Sequence, residues 1–263
     1  MHGNCKKQSH SSVAIKGTDM KIGIIGAGSI GATLARKLAG AGHAVKVANS
    51  KGPETLAELA QVDGIETVVK EDAVKDVEVI ILSIPFLSYP SLKTVLADVP
   101  ANVVVIDTSN YYPFRDGQME GIDGGDAESV WVTKQIGRPI VKAWNAVLAG
   151  TLVDKGKPAG AEGRIALPVA GDDAAAKRVA IELVNDTGFD AVDSGSLADS
   201  WRQQPGTPVY CTELTLNELE PALASADKAK APVNREAILQ EVFPRYAELS
   251  HDDIIAINRS MTA

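Results

Sequence analysis

Three glycines near the start of the chain have the spacing of a tight turn between a strand and a helix. The turn follows the short apolar stretch Lys21–Ile25 and precedes residues with helical periodicity. In such a turn Gly26 permits the bend, Gly28 lets the backbone approach a phosphate, and Gly31 lets the helix pack on the strand. The N–H groups at a helix N-terminus bind anions. The pattern predicts a dinucleotide pyrophosphate site rather than a glycine-rich turn without a ligand, and its residues are Gly26, Ala27, Gly28, Ser29, Ile30 and Gly31.

The end of the second predicted strand distinguishes between the two nicotinamide dinucleotides. An NAD site has Asp or Glu there, roughly 20 residues after the glycines, to bind the ribose 2′-hydroxyl. Here the strand Ala44–Ala48 is followed by Asn49, Ser50 and Lys51, with no carboxylate to repel a 2′-phosphate. A hydroxyl and an ammonium group together form a suitable anion pocket. We therefore predict NADP(H), although Lys51 could also be an ordinary solvent-exposed loop lysine.

Strands that alternate with helices predict the fold. Residues 20–205 should form a Rossmann-type α/β domain with a doubly wound, mainly parallel sheet. Residues 206–263 have helical spacing and no strand signal, so we predict a helical C-terminal appendage. Residues 1–19 are polar, and we expect a disordered leader. The predicted strands are Lys21–Ile25, Ala44–Ala48, Val77–Ile84, Val103–Ile106, Ile140–Ala143, Arg164–Ala170 and Gly188–Val192.

Two further segments follow predicted strands, where ligands of open α/β sheets bind. Ser83, Ile84 and Pro85 close the long apolar strand, and Asp107–Asn110 follow the next one. Pro85 either fixes a turn beneath the nicotinamide or simply ends the strand. The same two interpretations apply to Asp107–Asn110.

The sequence offers no obvious acid–base group, so we expect no catalytic side chain. His43 and His251 lie far from the predicted chemistry, and there is no nucleophile elbow or metal-ligand cluster. Hydride transfer between two rings held face to face needs mainly positioning and exclusion of water. Two alternatives stay open: a reductase of a small carbonyl or imine with Lys142 as proton donor, and a non-enzymatic NADP(H)-binding redox sensor.

Composition limits the partners. The chain has 263 residues and a formal net charge of −8, which disfavours nucleic-acid binding. No apolar run is long enough to span a bilayer, and the two cysteines, Cys5 and Cys211, form no CxxC pair. We expect a cytoplasmic protein that acts on a small-molecule redox acceptor.

Several motifs together resemble the NADP oxidoreductases that use 8-hydroxy-5-deazaflavin, coenzyme F-420. The cytosolic domain of the six-transmembrane metalloreductases, which use NADPH and a flavin, is similar as well. The resemblance covers roughly Met20 to Arg202. The motifs are Lys21–Leu38, the Asn49–Pro53 loop, Ser83–Phe86, Val141–Asn145, Pro168–Asp173 and Asp193–Leu197.

The resemblance implies a role for each predicted site. Ala27–Ile30 would hold the pyrophosphate, and Ser50 with Lys51 would bind the 2′-phosphate. Ile84 with Pro85, and the segment around Asn145 and Ala149, would line the nicotinamide. The second ring, a deazaflavin or alternatively FMN or FAD, would stack on the nicotinamide, and the family implies a homodimer.

The sequence also departs from the family. Lys51 replaces the usual arginine and loses its bidentate fork. A second basic residue, common a few positions on in the family, falls near Thr55 here. The segment Trp201–Pro208, with Tyr210 after it, either walls the second-substrate pocket or is a packed linker into the helical tail.

Overall fold

The structure is a computed structural model that describes residues 19–263. Its eight strands form one sheet in the order β3-β2-β1-β4-β5-β6-β7-β8. All neighbouring pairs are parallel except β6 with β7, which is antiparallel. The strands are β1 Lys21–Ile25, β2 Ala44–Ala48, β3 Ile65–Thr67, β4 Val79–Leu82, β5 Val104–Asp107, β6 Val141–Lys142, β7 Ala166–Gly171 and β8 Asp190–Gly195.

The helices cover both faces of this sheet. Five short 3-10 segments add to ten α-helices within the described residues. The α-helices are α1 Ser29–Ala41, α2 Leu92–Val95, α3 Pro113–Asp116, α4 Glu120–Asp123, α5 Glu128–Ile136, α6 Ala149–Asp154, α7 Ala174–Asp186, α8 Leu216–Ser225, α9 Ala231–Val242 and α10 His251–Thr262. The 3-10 segments are Pro53–Leu56, Leu59–Gln61, Phe86–Ser91, Leu197–Gln203 and Phe243–Arg245. None of the helices within residues 19–263 has the length and apolar character that a bilayer crossing requires.

The central strands are apolar because helices bury them from both sides. All four residues of β4 are buried, and β1 is buried after its first residue. Alternate residues of β4 belong to separate core clusters: Val79 and Ile81 pack with α1 and α7, whereas Ile80 and Leu82 pack with α5. This two-sided core explains why continuous apolar runs predicted these strands correctly.

The chain order reverses between β1 and β4. From β1 the chain moves outward through β2 and β3, and then returns to the other side of β1 as β4. The loops after β1 and β4 therefore diverge and leave a crevice at the carboxyl edge of the sheet, where doubly wound proteins bind ligands.

The Rossmann-type fold and the helical C-terminal region are confirmed. Several predicted bounds were wrong: β4 is shorter than Val77–Ile84, and β8 begins later than Gly188. The connection from β2 to β3 contains two 3-10 segments, Pro53–Leu56 and Leu59–Gln61, and no α-helix. β3 was missed because a three-residue edge strand has too little periodicity to stand out. The expected disordered leader, residues 1–19, lies outside the described residues except for Asp19.

Candidate functional site

The loop after β1 is held so close to its neighbours that two of its glycines leave no room for a side chain. Gly26 has a φ of +107°, and a Cβ there would lie 2.0 Å from the Ser83 carbonyl oxygen. A Cβ on Gly31 would lie 1.9 Å from the carbonyl oxygen of Gly26. The backbone N–H of Gly26 donates to the carbonyl of Ala48 at 2.8 Å. These contacts fix the loop between β2 and β4.

Gly28 differs from both, because it faces open space. A Cβ there would meet no atom within 4 Å. Gly28 is the N-cap of α1, and the first turn of that helix has neither a side-chain cap nor an acidic residue. The first N–H groups of a helix lack intrahelical partners, and here they carry the partial positive charge of the helix end. The position suits an anion such as a pyrophosphate.

A cavity of about 860 Å³ opens in front of this loop. It runs between the loops that follow β1, β2, β3 and β4. Nine of the predicted site residues line it: Gly26, Ala27, Gly28, Asn49, Ser50, Lys51, Ser83, Ile84 and Pro85. Ser29, Ile30 and Gly31 form the first turn of α1 directly behind Gly28.

The loop after β2 is shaped by the side chain of Asn49. Its amide nitrogen donates to Thr55 Oγ1 at 2.8 Å, and its Oδ1 accepts the backbone N–H of Lys51 at 2.9 Å. Thr55 in turn donates to the Gly52 carbonyl. Because these bonds use the polar atoms of Asn49, this residue holds the loop, while Ser50 and Lys51 are exposed at the cavity.

Pro85 begins a turn rather than simply ending a strand. It precedes the 3-10 segment Phe86–Ser91, and its carbonyl accepts the N–H of Ser88 at 2.9 Å. Ser88, Ser91 and Leu92 line the cavity as well, although the sequence pattern did not single them out. The only signal in the sequence was the pair of serines, Ser88 and Ser91, three and six residues after the strand-ending proline, and nothing marked Leu92.

The loop after β3 supplies three lining residues that sequence reasoning missed. These are Val69, Lys70 and Glu71. They could not be assigned because β3 itself was not predicted. Lys70 and Glu71 are neighbours, with 3.8 Å between Lys70 Nζ and Glu71 Oε1.

Asn145 and Ala149 do not line this cavity. Asn145 is buried, and its amide nitrogen donates to Asn110 Oδ1 and to the Gln203 carbonyl. Its Oδ1 accepts from Gln203 Nε2 at 2.9 Å. Ala149 is the half-buried first residue of α6, which packs against α1. Neither residue thus contributes to the cavity lining, and the side-chain amide of Asn145 is used by internal hydrogen bonds.

A buried ion pair lies at the ends of β5 and β6. Lys142 Nζ is 2.8 Å from Asp107 Oδ2, and neither side chain has any exposed surface. Lys142 also donates to the Ser109 carbonyl, and the Tyr89 hydroxyl donates to Asp107. Both side chains are thus used within the protein, and neither Lys142 nor Asp107 lines the cavity. This arrangement counts against Lys142 as a proton donor to a bound substrate.

The remaining candidates also lie elsewhere. His43 bonds to Asp186 at 3.1 Å, and His251 bonds to Glu213 at 2.7 Å. Trp201 belongs to the 3-10 segment Leu197–Gln203. None of these residues lines the cavity. The geometry of Trp201–Pro208, half or fully buried throughout, favours the packed linker over a pocket wall.

Known proteins resemble parts of the chain. Protein YjhV of Escherichia coli is 44% identical over 115 residues, which are 42% of this chain and 81% of YjhV. Metalloreductase STEAP3 of Rattus norvegicus is 30% identical over 185 residues, which are 68% of this chain but only 35% of STEAP3. The crystal structure of protein SMa0349 from Sinorhizobium meliloti superposes with a TM-score of 0.64 at 30% identity, covering 75% of this chain and 96% of SMa0349.

A family model matches residues 21–111, which contain the glycine turn, the β2 loop and the Ser83–Pro85 turn. These are the segments that line the cavity on three of its sides. Through this region the chain belongs to the family described as NADP oxidoreductase, coenzyme F420-dependent, a class of NADP-dependent oxidoreductases.

Proposed function

We propose that the chain transfers hydride between NADP(H) and a deazaflavin or flavin ring that binds from solution. The observation that carries this proposal is the cavity in front of Gly28, whose lining combines a helix N-terminus with Ser50 and Lys51. The helix N-terminus suits the pyrophosphate, and the hydroxyl and ammonium groups suit a 2′-phosphate.

The end of β2 supports NADP(H) over NAD(H). A carboxylate at this position would bind a ribose 2′-hydroxyl and repel a 2′-phosphate. The residues that follow Ala48 are an amide, a hydroxyl and an ammonium. Within residues 19–263 the Lys51 ammonium makes neither a hydrogen bond nor an ion pair, so it is available to an anion.

The wall formed by the β4 loop favours a ring as the second substrate. It consists of Ser83, Ile84 and Pro85, followed by Ser88, Ser91 and Leu92, and contains no ionisable side chain. Reduction of a carbonyl or imine needs a proton donor, and the best candidate, Lys142, is enclosed in its pair with Asp107. A bound nicotinamide supplies the hydride, while these residues orient the rings and exclude water.

The family description supports a deazaflavin as acceptor, because it names coenzyme F420. STEAP3, a metalloreductase, supports oxidoreductase activity in general. From the resemblance we also propose that the chain works as a cytoplasmic homodimer, which light scattering after size-exclusion chromatography tests directly.

An NADPH oxidation screen tests the proposed function. Deazaflavin, FMN, FAD and small carbonyls are offered as acceptors, with NADH as the alternative donor and the Gly28→Val variant as the site control. We expect turnover with a deazaflavin or flavin and NADPH, and none in the variant. Tight NADPH binding without oxidation by any acceptor would favour a redox sensor, and turnover with carbonyls alone would favour the small-substrate reductase.

A further inference from the structure

Lys70 lies on the wall of the cavity that faces the β2 loop. Strands β2 and β3 are parallel, with Val47 paired to Thr67, and the N–H of Val68 donates to the Val47 carbonyl at 2.9 Å. Ser50 lies three residues after Val47, and Lys70 lies three residues after Thr67. Both residues line the same cavity.

The Lys70 ammonium makes weaker contacts than those of Lys46 and Lys75. Its Nζ is 3.8 Å from Glu71 Oε1, which is beyond hydrogen-bond distance, and about a third of its side chain is exposed. By contrast, Lys75 Nζ lies 2.7 Å from Asp72, and Lys46 Nζ donates to the Lys75 carbonyl. Lys70 therefore keeps ammonium donors available on the cavity side.

Lys51 and Lys70 line the same cavity from two different loops, those after β2 and β3. A phosphate monoester carries close to two negative charges at neutral pH and several strong acceptor oxygens. A single lysine is a point charge without the arginine fork, so one lysine alone holds such a group less firmly. A second cation from a neighbouring strand offsets that loss.

We propose that Lys70 is a specificity residue that binds the 2′-phosphate of NADP(H) together with Ser50 and Lys51. This inference rests on the proposed function and adds to it a determinant on β3 that the glycine and β2 motifs do not contain. Glu71 pairs with Lys70 before the phosphate binds and repels the phosphate when it arrives. The two neighbours therefore act on cofactor affinity with opposite signs.

Titration calorimetry with NADPH and with NADH tests the inference on the full chain. The variants are Lys70→Gln, Lys70→Arg, Glu71→Gln and, as the matched control, Lys75→Gln, which removes the same charge outside the cavity. We expect Lys70→Gln to weaken NADPH binding about tenfold and leave NADH binding unchanged. Lys70→Arg keeps NADPH affinity, Glu71→Gln raises it several-fold, and Lys75→Gln changes neither cofactor.

The salt dependence supplies a second readout. Because salt screens each cation–phosphate contact, Lys70→Gln should make NADPH affinity fall less steeply with salt than in the native chain. Equal effects of Lys70→Gln on NADPH and NADH, or none on either, would overturn the inference while the native preference for NADPH stands. A native chain that binds neither cofactor would overturn the proposed function as well, so the two failures are distinguishable.

Discussion

Gly31 and Gly26 touch through the backbone so closely that a Cβ on Gly31 would lie 1.9 Å from the Gly26 carbonyl oxygen. Gly28, between them, has no atom within 4 Å of the same position. Glycines of a single motif therefore have two separate purposes. Gly26 and Gly31 let the loop fold, whereas Gly28 leaves space for a ligand.

This difference predicts that Gly28→Val folds normally and loses NADPH, because its side chain occupies the cavity rather than the core. Gly31→Val should instead destabilise the protein by about 3 kcal/mol, since backbone must move to admit the side chain. Thermal unfolding of both variants measures their stability, and calorimetric titration measures their affinity for NADPH. Native-like NADPH binding by Gly28→Val would contradict the placement of the pyrophosphate.

Ser50→Asp should reverse the cofactor preference. The added carboxylate repels a 2′-phosphate and accepts a hydrogen bond from a 2′-hydroxyl. We expect NADPH affinity to fall at least tenfold and NADH affinity to rise, measured as dissociation constants at fixed ionic strength. Ser50→Ala is the control, because it removes the hydroxyl without adding charge. An unchanged NADPH-to-NADH ratio in Ser50→Asp would place the 2′-phosphate elsewhere.

Asp107→Asn should destabilise the fold by roughly 3–5 kcal/mol, because it leaves the buried Lys142 ammonium without its counter-charge. Urea unfolding measures the loss. The exposed pair of Lys134 and Asp126 provides the comparison, and Asp126→Asn should cost at most about 1 kcal/mol. If Asp107→Asn cost no more than Asp126→Asn, the pair with Asp107 would not enclose Lys142, and Lys142 would again be a candidate proton donor.

The buried carboxyl group of Glu128 should make the stability of the fold depend on pH. Burial raises the pKa of its carboxyl from its ordinary value of 4.5 to about 7. The folded chain therefore keeps a proton that the unfolded chain releases, and stability falls as pH rises from about 4.5 to about 7. The shift corresponds to about 3 kcal/mol at most.

Glu128→Gln removes this titration. The free energy of unfolding of the variant, relative to that of the native chain, should increase between pH 5 and pH 8. Urea unfolding at both pH values measures this difference. The amide has nearly the same size and shape as the buried carboxyl group, so the variant keeps the packing around residue 128. Identical pH dependence in the variant and the native chain would show that Glu128 titrates normally.

The sequence predicted the parts of the site that depend on local backbone geometry. Gly26, Gly28 and Gly31 define a turn whose residues are adjacent in the chain, and Ser50 and Lys51 lie at the end of a strand with a clear apolar pattern. Lys70 was not predicted to line the cavity, because its position depends on β3. The pairing of this three-residue strand with β2 forms only in the folded sheet.

Asn145 is the converse case, a residue that was predicted to line the site but does not line the cavity. The family resemblance implied that it lines the nicotinamide, but its amide is held by Asn110 and by Gln203, which is 58 residues away in the chain. No local pattern contains such a long-range bond. The burial of Lys142 against Asp107 was equally hidden, because two charged residues on neighbouring strands look exposed until the register between β5 and β6 is known.

Deuterium transfer from NADPH that carries deuterium at both C4 positions of the nicotinamide tests the central claim most directly. Direct hydride transfer places the label on C5 of a deazaflavin acceptor, where it is bonded to carbon and does not exchange with water, and mass spectrometry of the reduced acceptor detects it. The proposal predicts full retention of one deuterium, at a rate at least tenfold higher than with labelled NADH and absent in Gly28→Val. A reduced acceptor without the label, or an equal rate from NADH, would contradict it.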